Sequence, residues 1–303
     1  MRSRRSCLHL ALGLCLAPAF PAAALTAAEG PKGDLLGVDT LYEILPDDNL
    51  LDIARRFDLG YVEIVAANPG VDPWLPKAHT RLHLPTAHLL PPVPRHGIVI
   101  NLGAMRLYAF PPGRPPLTFP IGTGVDIDMT PLGETRVVAK QIHPTWYPPD
   151  SIRRERPDLP AAIPPGPDDP LGDFILRLGW RGYGIHGTNK PDGVGRHVSH
   201  GCIRLYPEDI ATLFPLIPVG TQVRVIDQRV MFGWSGDELY VQVYPTHAQA
   251  DSLEESEPAP AAPVPDLESR AIEAAGSEWM RLDWALIERA AAERRGIAVR
   301  ITR

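Results

Sequence analysis

Between Ile98 and Pro245 the chain never runs far in one conformation. Its apolar stretches are short, IVINL, RLYAF, LTFPIG, ETRVVAK, FILRL, YGIHG, QVRVID and ELYVQVYP, and glycine or proline breaks the chain between them. Proline lacks a backbone donor and glycine admits positive φ, so this punctuation makes turns and forbids long helices. Thirty-five prolines in 303 residues carry the same constraint over the whole chain. Short runs of β-branched and aromatic residues at this spacing predict a mainly β fold, a sandwich or barrel-like domain over 96–228 with one or two helices. One helix is expected at YPEDIATLFPLI, with Glu208 and Asp209 in its first turn. Further strands are expected over 229–250. The segment 148–173 breaks the rhythm; it is long, proline-rich and charged, and reads as a lid-like insertion.

The flanks follow other patterns. Residues 38–86 predict a compact βααβ unit. Tyr42 and Ile44 alternate as in a strand, Asp47 or Asp48 is placed to cap a helix, and Leu50, Leu51, Ile53, Ala54 and Phe57 form its apolar stripe. A second helix carries Val62, Ile64, Val65 and Ala66 and stops at Asn68-Pro69-Gly70, and Arg81–Pro85 alternates as a closing strand. Leu89–Gly97 is proline-stiffened and reads as a linker that lets this unit fold by itself. Residues 251–266 are acidic and rich in Pro and Ala, the composition of a disordered linker. Beyond them Leu267–Arg295 is helix-forming, with Trp279, Leu282, Trp284 and Ile287 as apolar anchors, and IAVRIT is a candidate edge strand. This extension is expected to dock on the larger β domain.

The first residues read as a secretory signal peptide over 1–24: Arg2, Arg4 and Arg5, then an apolar run from Leu8 to Ala19, then Ala22-Ala23-Ala24. The run is too short for a stable membrane span. SRRSCL has a twin-arginine look, and Leu14 before Cys15 is too bulky for lipoprotein processing. Cleavage removes three arginines, taking the formal charge from −6 to about −9. That charge excludes the basic footprint of a nucleic-acid binder. Cleavage also removes Cys7 and Cys15, leaving Cys202 as a lone thiol in an exported, disulfide-permissive compartment.

Cys202 sits in GIHGTNKPDGVGRHVSHGCIRLY with His186, His197 and His200. One reading is structural, a buried cysteine among solvated histidines. A second is a zinc site on His197, His200 and Cys202, although no cysteine pair or HExxH helix accompanies it. A third is nucleophilic catalysis. A neighbouring His or Arg lowers a thiol pKa. His186 is placed to act as base, the Gly187 carbonyl to orient it, and the Gly201 and Cys202 amides to stabilise an oxyanion.

The segment Ser199-His200-Gly201-Cys202-Ile203-Arg204, preceded by Ile185-His186-Gly187-Thr188, resembles the L,D-transpeptidase catalytic motif, of the branch that includes ErfK, YbiS, YcfS and YnhG. IVINL, IGTG, TPLGETRV, PTWYPPDSIRRE, IPPGPDDPLG and GTNKP are similar to that branch as well. Residues 38–86 resemble a LysM glycan-binding module through Tyr42, Asp48, Leu50, Ile53, Ala54, Phe57, Ile64, Asn68, Leu75, Pro76 and LHLP; Asn49 stands where that family often has Thr. The resemblance implies a periplasmic enzyme acting on peptidoglycan. Cys202 would attack the L-centre carbonyl of residue three in a tetrapeptide stem, with His186 as base. Ser199, His200 and Arg204 would shape the site, and no metal or organic cofactor would be needed. The acyl group would pass to a diaminopimelate amine, giving a 3→3 crosslink, or to a lysine of an outer-membrane lipoprotein. Two alternatives remain at this point: a hydrolase that passes the same acyl group to water, and a glycan-binding envelope protein with a degenerate catalytic domain.

Overall fold

The computed structural model describes residues 33–124, 130–199, 201–255, 257 and 262–303. The expected signal peptide, with Cys7 and Cys15, and also His200 lie outside the described residues. Among the described residues no helix is long and apolar enough to cross a membrane.

The described chain opens with β1 (Leu35–Leu36) and β2 (Thr40–Glu43). Asn49, rather than Asp47 or Asp48, caps α1 (Leu50–Arg56), its side-chain oxygen accepting from the Asp52 amide at 2.9 Å. Asp48 is engaged elsewhere, accepting from Tyr42 Oη at 2.6 Å and from Arg56 at 3.2 Å. Every residue of α2 (Tyr61–Ala67) is buried. At its end the Asn68 side chain donates to Ile64 and His83 carbonyls, at 2.8 and 2.9 Å, and so ties α2 to β3 (Arg81–Leu84). β2 and β3 pair antiparallel with Tyr42 opposite Leu82, and β4 (His88–Leu89) returns to pair with β1.

The central sheet is mixed and has eight strands. In chain order they are β5 (Gly97–Asn101), β6 (Arg106–Phe110), β7 (Leu117–Pro120), β9 (Gly133–Ile142), β10 (Phe174–Leu178), β11 (Gly184–His186), β13 (Ile203–Arg204) and β14 (Gln222–Ile226). In space they run β13-β11-β10-β9-β14-β5-β6-β7. β8 (Thr123–Gly124) and β12 (His197–Ser199) form a separate parallel pair. The ten-residue β9 belongs to both halves of the sheet. Its first four residues pair with β14 and its remainder with β10, with a bulge at Arg177/Leu178. A bulge tightens strand twist, so the sheet curls about β9 instead of splitting into two facing layers. The fold is mainly β, as read from the sequence. Helix α3 (Asp150–Glu155) lies in the 148–173 segment, and α4 (Pro207–Leu213) follows β13.

The Leu89–Gly97 segment is not a free linker. Leu89 and Leu90 are fully buried, and the Leu89 amide donates to Gln242 Oε1 at 2.8 Å. Ile44, Leu50, Ile53 and Ile64 belong to one continuous core with Ile98, Leu107, Ile121 and Leu205. A buried ion pair crosses the same boundary, Glu63 on α2 to Arg106 on β6 at 2.8 Å. Arg106 is further fixed by Thr118 Oγ1 at 3.0 Å and the Asp58 carbonyl at 3.1 Å. The backbones also touch. Tyr61 and Val62 amides donate to Val194 and Gly195 carbonyls. Gly195 has φ +79°, and a Cβ there would lie 2.1 Å from the Tyr61 nitrogen, so only glycine permits this approach. The expectation of an independently folding N-terminal unit is therefore corrected: the proline run stiffens a covered connection between two packed surfaces.

At the C-terminal end, β15 (Val230–Ser235), β16 (Glu238–Val243) and β17 (Ala298–Arg300) form a second sheet in that order. Helix α5 (His247–Glu254) runs four residues into the expected linker. Farther along that segment, the Ala262 and Pro263 carbonyls are held by the Arg294 guanidinium. The expected single helix is two, α6 (Leu267–Ala275) and α7 (Trp284–Glu293), interrupted at Gly276 and restarted by an Asp283 cap. Leu282 and Ile287 are buried, whereas Trp279 is half exposed. Both helices pack on the β15–β17 sheet instead of the eight-stranded one.

Candidate active site

The site lies where the curled sheet ends. β11 and β13 run parallel, with Ile185 opposite Ile203 and His186 opposite Arg204. Alternation along paired strands puts His186 and Arg204 on one face, and Cys202, one residue before β13, on the same face. Gly184, His186, Ser199, Cys202 and Arg204 share one cleft of about 320 Å³. Its opposite wall is the 148–173 segment and its approach, through Trp146, Tyr147, Pro149, Ile152, Pro170 and Leu171. That segment is held in place. Trp146 and Ile163 exchange backbone hydrogen bonds at 2.9 and 2.8 Å, Arg153 donates to the Ala161 carbonyl, and Asp169 Oδ1 accepts from the Leu171 amide.

The loop carrying Cys202 is fixed by Ser199. Its Oγ donates to the Cys202 carbonyl at 2.6 Å and accepts from the Gly201 amide at 3.2 Å. Thr130 Oγ1 donates to the Gly201 carbonyl at 2.8 Å. Gly201 has φ +96°, a conformation other residues rarely adopt. The Gly201 amide is thus already engaged, so of the two amides expected to meet an oxyanion, that of Cys202 is the better placed. Sequence reading missed Thr130, which no motif spacing connects to Gly201.

His186 is 3% exposed, and its Nδ1 lies 2.5 Å from the Gly187 carbonyl oxygen. A carbonyl only accepts, so Nδ1 carries the proton and Nε2 is the bare, basic nitrogen. Burial, with smaller contributions from Arg204 and Arg177, lowers the imidazole pKa to about 4, against the Gly187 hydrogen bond. Cys202 is partly buried, with Sγ 3.4 Å from the Gly182 carbonyl oxygen. Burial pushes its thiol pKa up, although a Gly184 backbone hydrogen bond, Arg204 and Arg177 pull the other way. The expectation that neighbouring cations would depress the thiol is reversed here, because desolvation outweighs them. At neutral pH the cleft therefore holds a neutral thiol and a neutral imidazole. Arg204 Nε is buried without a hydrogen-bond partner among the described residues, and Arg177 donates to Gln141 Oε1 at 2.7 Å. Both guanidinium groups line the cleft and suit a carboxylate-bearing ligand.

The trio His197, His200 and Cys202 considered as zinc ligands is not gathered among the described residues. His197 is absent from the cleft lining and instead packs against His247, with ring centroids 3.9 Å apart and the planes tilted by 41°.

Residues 95–225 match the L,D-transpeptidase catalytic domain family (YkuD). The chain is 41% identical over 223 residues to the probable L,D-transpeptidase YcfS of Escherichia coli K12, covering 70% of each chain. It is 42% identical over 218 residues to the probable L,D-transpeptidase ErfK/SrfK of the same strain, covering 69% of this chain and 70% of that one. An NMR structure of the catalytic domain from an E. faecium L,D-transpeptidase aligns with a TM-score of 0.35 at 25% identity, over 43% of this chain and 96% of that chain.

Proposed function

The chain belongs to the L,D-transpeptidase family, in the branch of YcfS, ErfK/SrfK and YbiS, and from that premise we propose that Cys202 is its nucleophile and His186 its base. The observation carrying this reading is the pair's setting, one cleft floor with His186 Nδ1 tied to the Gly187 carbonyl. A tetrapeptide stem lies in the cleft with its carboxylates toward Arg204 and Arg177. Cys202 Sγ attacks the carbonyl carbon of residue three as its proton passes to His186 Nε2. The tetrahedral oxyanion takes the Cys202 amide. Collapse breaks the bond to the terminal D-alanine, whose amine leaves with the proton from His186. The thioester is then attacked by an acceptor amine, which gives its proton to His186, and the regenerated thiol takes that proton back. The acceptor is a diaminopimelate amine or a lysine of an envelope lipoprotein.

The remaining assignments belong to the same proposal. Residues 1–24 direct export to the periplasm. Residues 38–86 act as a LysM-type module that holds the enzyme on glycan strands, a reading supported by the β2-α1-α2-β3 order and the matched residues. The experiment incubates the purified protein with tetrapeptide muropeptides, with and without an acceptor amine, and follows products by mass spectrometry. Amine-dependent crosslinked product and loss of D-alanine support transfer. Loss of D-alanine with tripeptide alone identifies a hydrolase. No acyl-enzyme at Cys202, with either substrate or a carbapenem, overturns the nucleophile assignment.

A further inference from the structure

Behind the cleft, β12 and α5 gather a second group of side chains. His197, His247 and Asp251 each offer one ligating atom, and these atoms all lie within 4.8 Å of one another. His247 and Asp251 are four residues apart and share one face of α5. The start of that helix is fixed by a reciprocal capping box between Thr246 and Gln249. His197 comes from β12 and meets the His247 ring in a tilted contact, with centroids 3.9 Å apart. Its Nδ1 is 3.3 Å from Asp251 Oδ1 and 3.8 Å from Glu254 Oε1. His247 Nε2 is 3.7 Å from Asp251 Oδ2. The His197 side chain is only 8% exposed, yet its Nδ1 has no well-formed hydrogen bond among the described residues. A polar atom that deeply buried, held by carboxylates at ion-pair distance but without a well-aligned hydrogen bond, costs stability. Two adjoining imidazoles facing carboxylates are more than core packing requires.

We propose that His197, His247 and Asp251 form a binding site for one divalent transition-metal ion, best represented by zinc, which pins α5 to the strand leading into the Cys202 loop. Two imidazole nitrogens and a carboxylate oxygen suit zinc and its neighbours, whereas magnesium and calcium prefer oxygen alone. Bonds of about 2.0–2.1 Å place tetrahedral ligands roughly 3.4 Å apart; here the two imidazoles face different oxygens of Asp251, at 3.3 and 3.7 Å, and one ligating atom from each residue falls within 4.8 Å of the others, so small side-chain rotations close the set on an ion. Three protein ligands leave a fourth position for water or Glu254. Arg229 adds opposing positive charge near His197, and Asp227, 3.4 Å from that guanidinium, offsets it. The ion sits outside the cleft, since His197 does not line it while Ser199, two residues on, does. It therefore acts as a staple and takes no part in acyl transfer.

The test uses the purified protein carrying Cys202→Ser, which removes thiol binding, stripped with a chelator and titrated with zinc by calorimetry. One equivalent should bind and raise Tm. The cobalt-loaded form should show ligand-field bands of a four-coordinate ion without a thiolate charge-transfer band. Loss of one outer-sphere partner already weakens metal sites by about 10–100-fold. His247→Ala and the isosteric Asp251→Asn should therefore each weaken zinc binding by at least that factor, with circular dichroism unchanged. His247 is on the partly exposed side of α5, so its truncation leaves the fold readable. No zinc equivalent in the Cys202→Ser protein overturns the site. So does unchanged affinity in folded His247→Ala and Asp251→Asn variants.

Discussion

At the scale of single residues, the proposed chemistry turns on desolvation. A base lowered to about pKa 4 stays neutral and competent well below the usual histidine range. Acylation by a carbapenem, followed by intact mass from pH 3.5 to 7.5, should lose rate only as pH falls through about 4. A limb near 6.5 would mean that the His186 imidazole is solvated. The same shift has a stability consequence with a definite sign. His186 takes up its proton near 6.5 in the unfolded chain and near 4 in the folded one, so the unfolded state binds more protons between these values. The neutral burial is fully stabilising above pH 6.5, weakens as pH falls, and has lost about 3 kcal/mol by pH 4. Urea midpoints of wild type and His186→Asn should therefore converge or cross in that window. Cys202→Ser should abolish acylation, because the base at His186 is too weak to deprotonate a hydroxyl. His186→Ala should slow acylation by about 10²–10⁴-fold, the usual worth of a general base.

At the scale of elements, the Cys202 loop is the part most dependent on its own sequence. Ser199 makes two hydrogen bonds that hold Gly201 and Cys202, and its Oγ is not placed to act on substrate. Ser199→Ala leaves the Gly201 amide and the Cys202 carbonyl unpaired, worth about 1–3 kcal/mol. It should slow carbapenem acylation by about tenfold or more and lower Tm by a few degrees; an unchanged rate would show that the loop is set by Thr130 and Gly201 alone. Much of this was legible beforehand. The glycines around His186 and Cys202 marked close backbone approaches, and the stripe of Leu50, Ile53 and Ala54 marked α1, because both signals are local. What sequence alone missed was decided by tertiary partners. Asp48 lost the capping position to Asn49 because Tyr42 and Arg56 claim its carboxylate. The break between α6 and α7 follows from Gly276 and Asp283, each tolerable inside a longer helical pattern until packing on the second sheet selects the shorter pieces. His197 looked like a partner for Cys202 by spacing, yet it faces an element fifty residues later.

At the scale of the whole molecule, the N-terminal segment is part of the fold that builds the site. Glu63 and Arg106 are both almost fully buried, and each leaves an unpaired charge if the other is removed. Breaking such a pair costs about 3–5 kcal/mol. The C-terminal sheet closes the same assembly, since Gln242 Nε2 donates to the Ala87 and Gly296 carbonyls, at 3.0 and 2.7 Å, while its Oε1 accepts from Leu89. A chain beginning at Pro94 would leave the sheet side of this shared core facing water, so it should aggregate or fail to acylate even a small soluble donor. Arg106→Met in the intact protein should lower stability by a few kcal/mol without touching the cleft. Both expectations reduce to one measurement of cooperativity. Trp74 reports on the N-terminal segment, Trp180 on the central sheet and Trp234 on the C-terminal sheet. Single-tryptophan variants unfolded in urea should give coincident midpoints, because Trp74 contacts Tyr61 of the core that also holds Trp180, and Gln242 ties the sheet of Trp234 to Ala87 and Leu89. A Trp74 transition that precedes the Trp180 transition, in a protein that still acylates between the two, would show that the N-terminal segment and the central sheet fold as separable units.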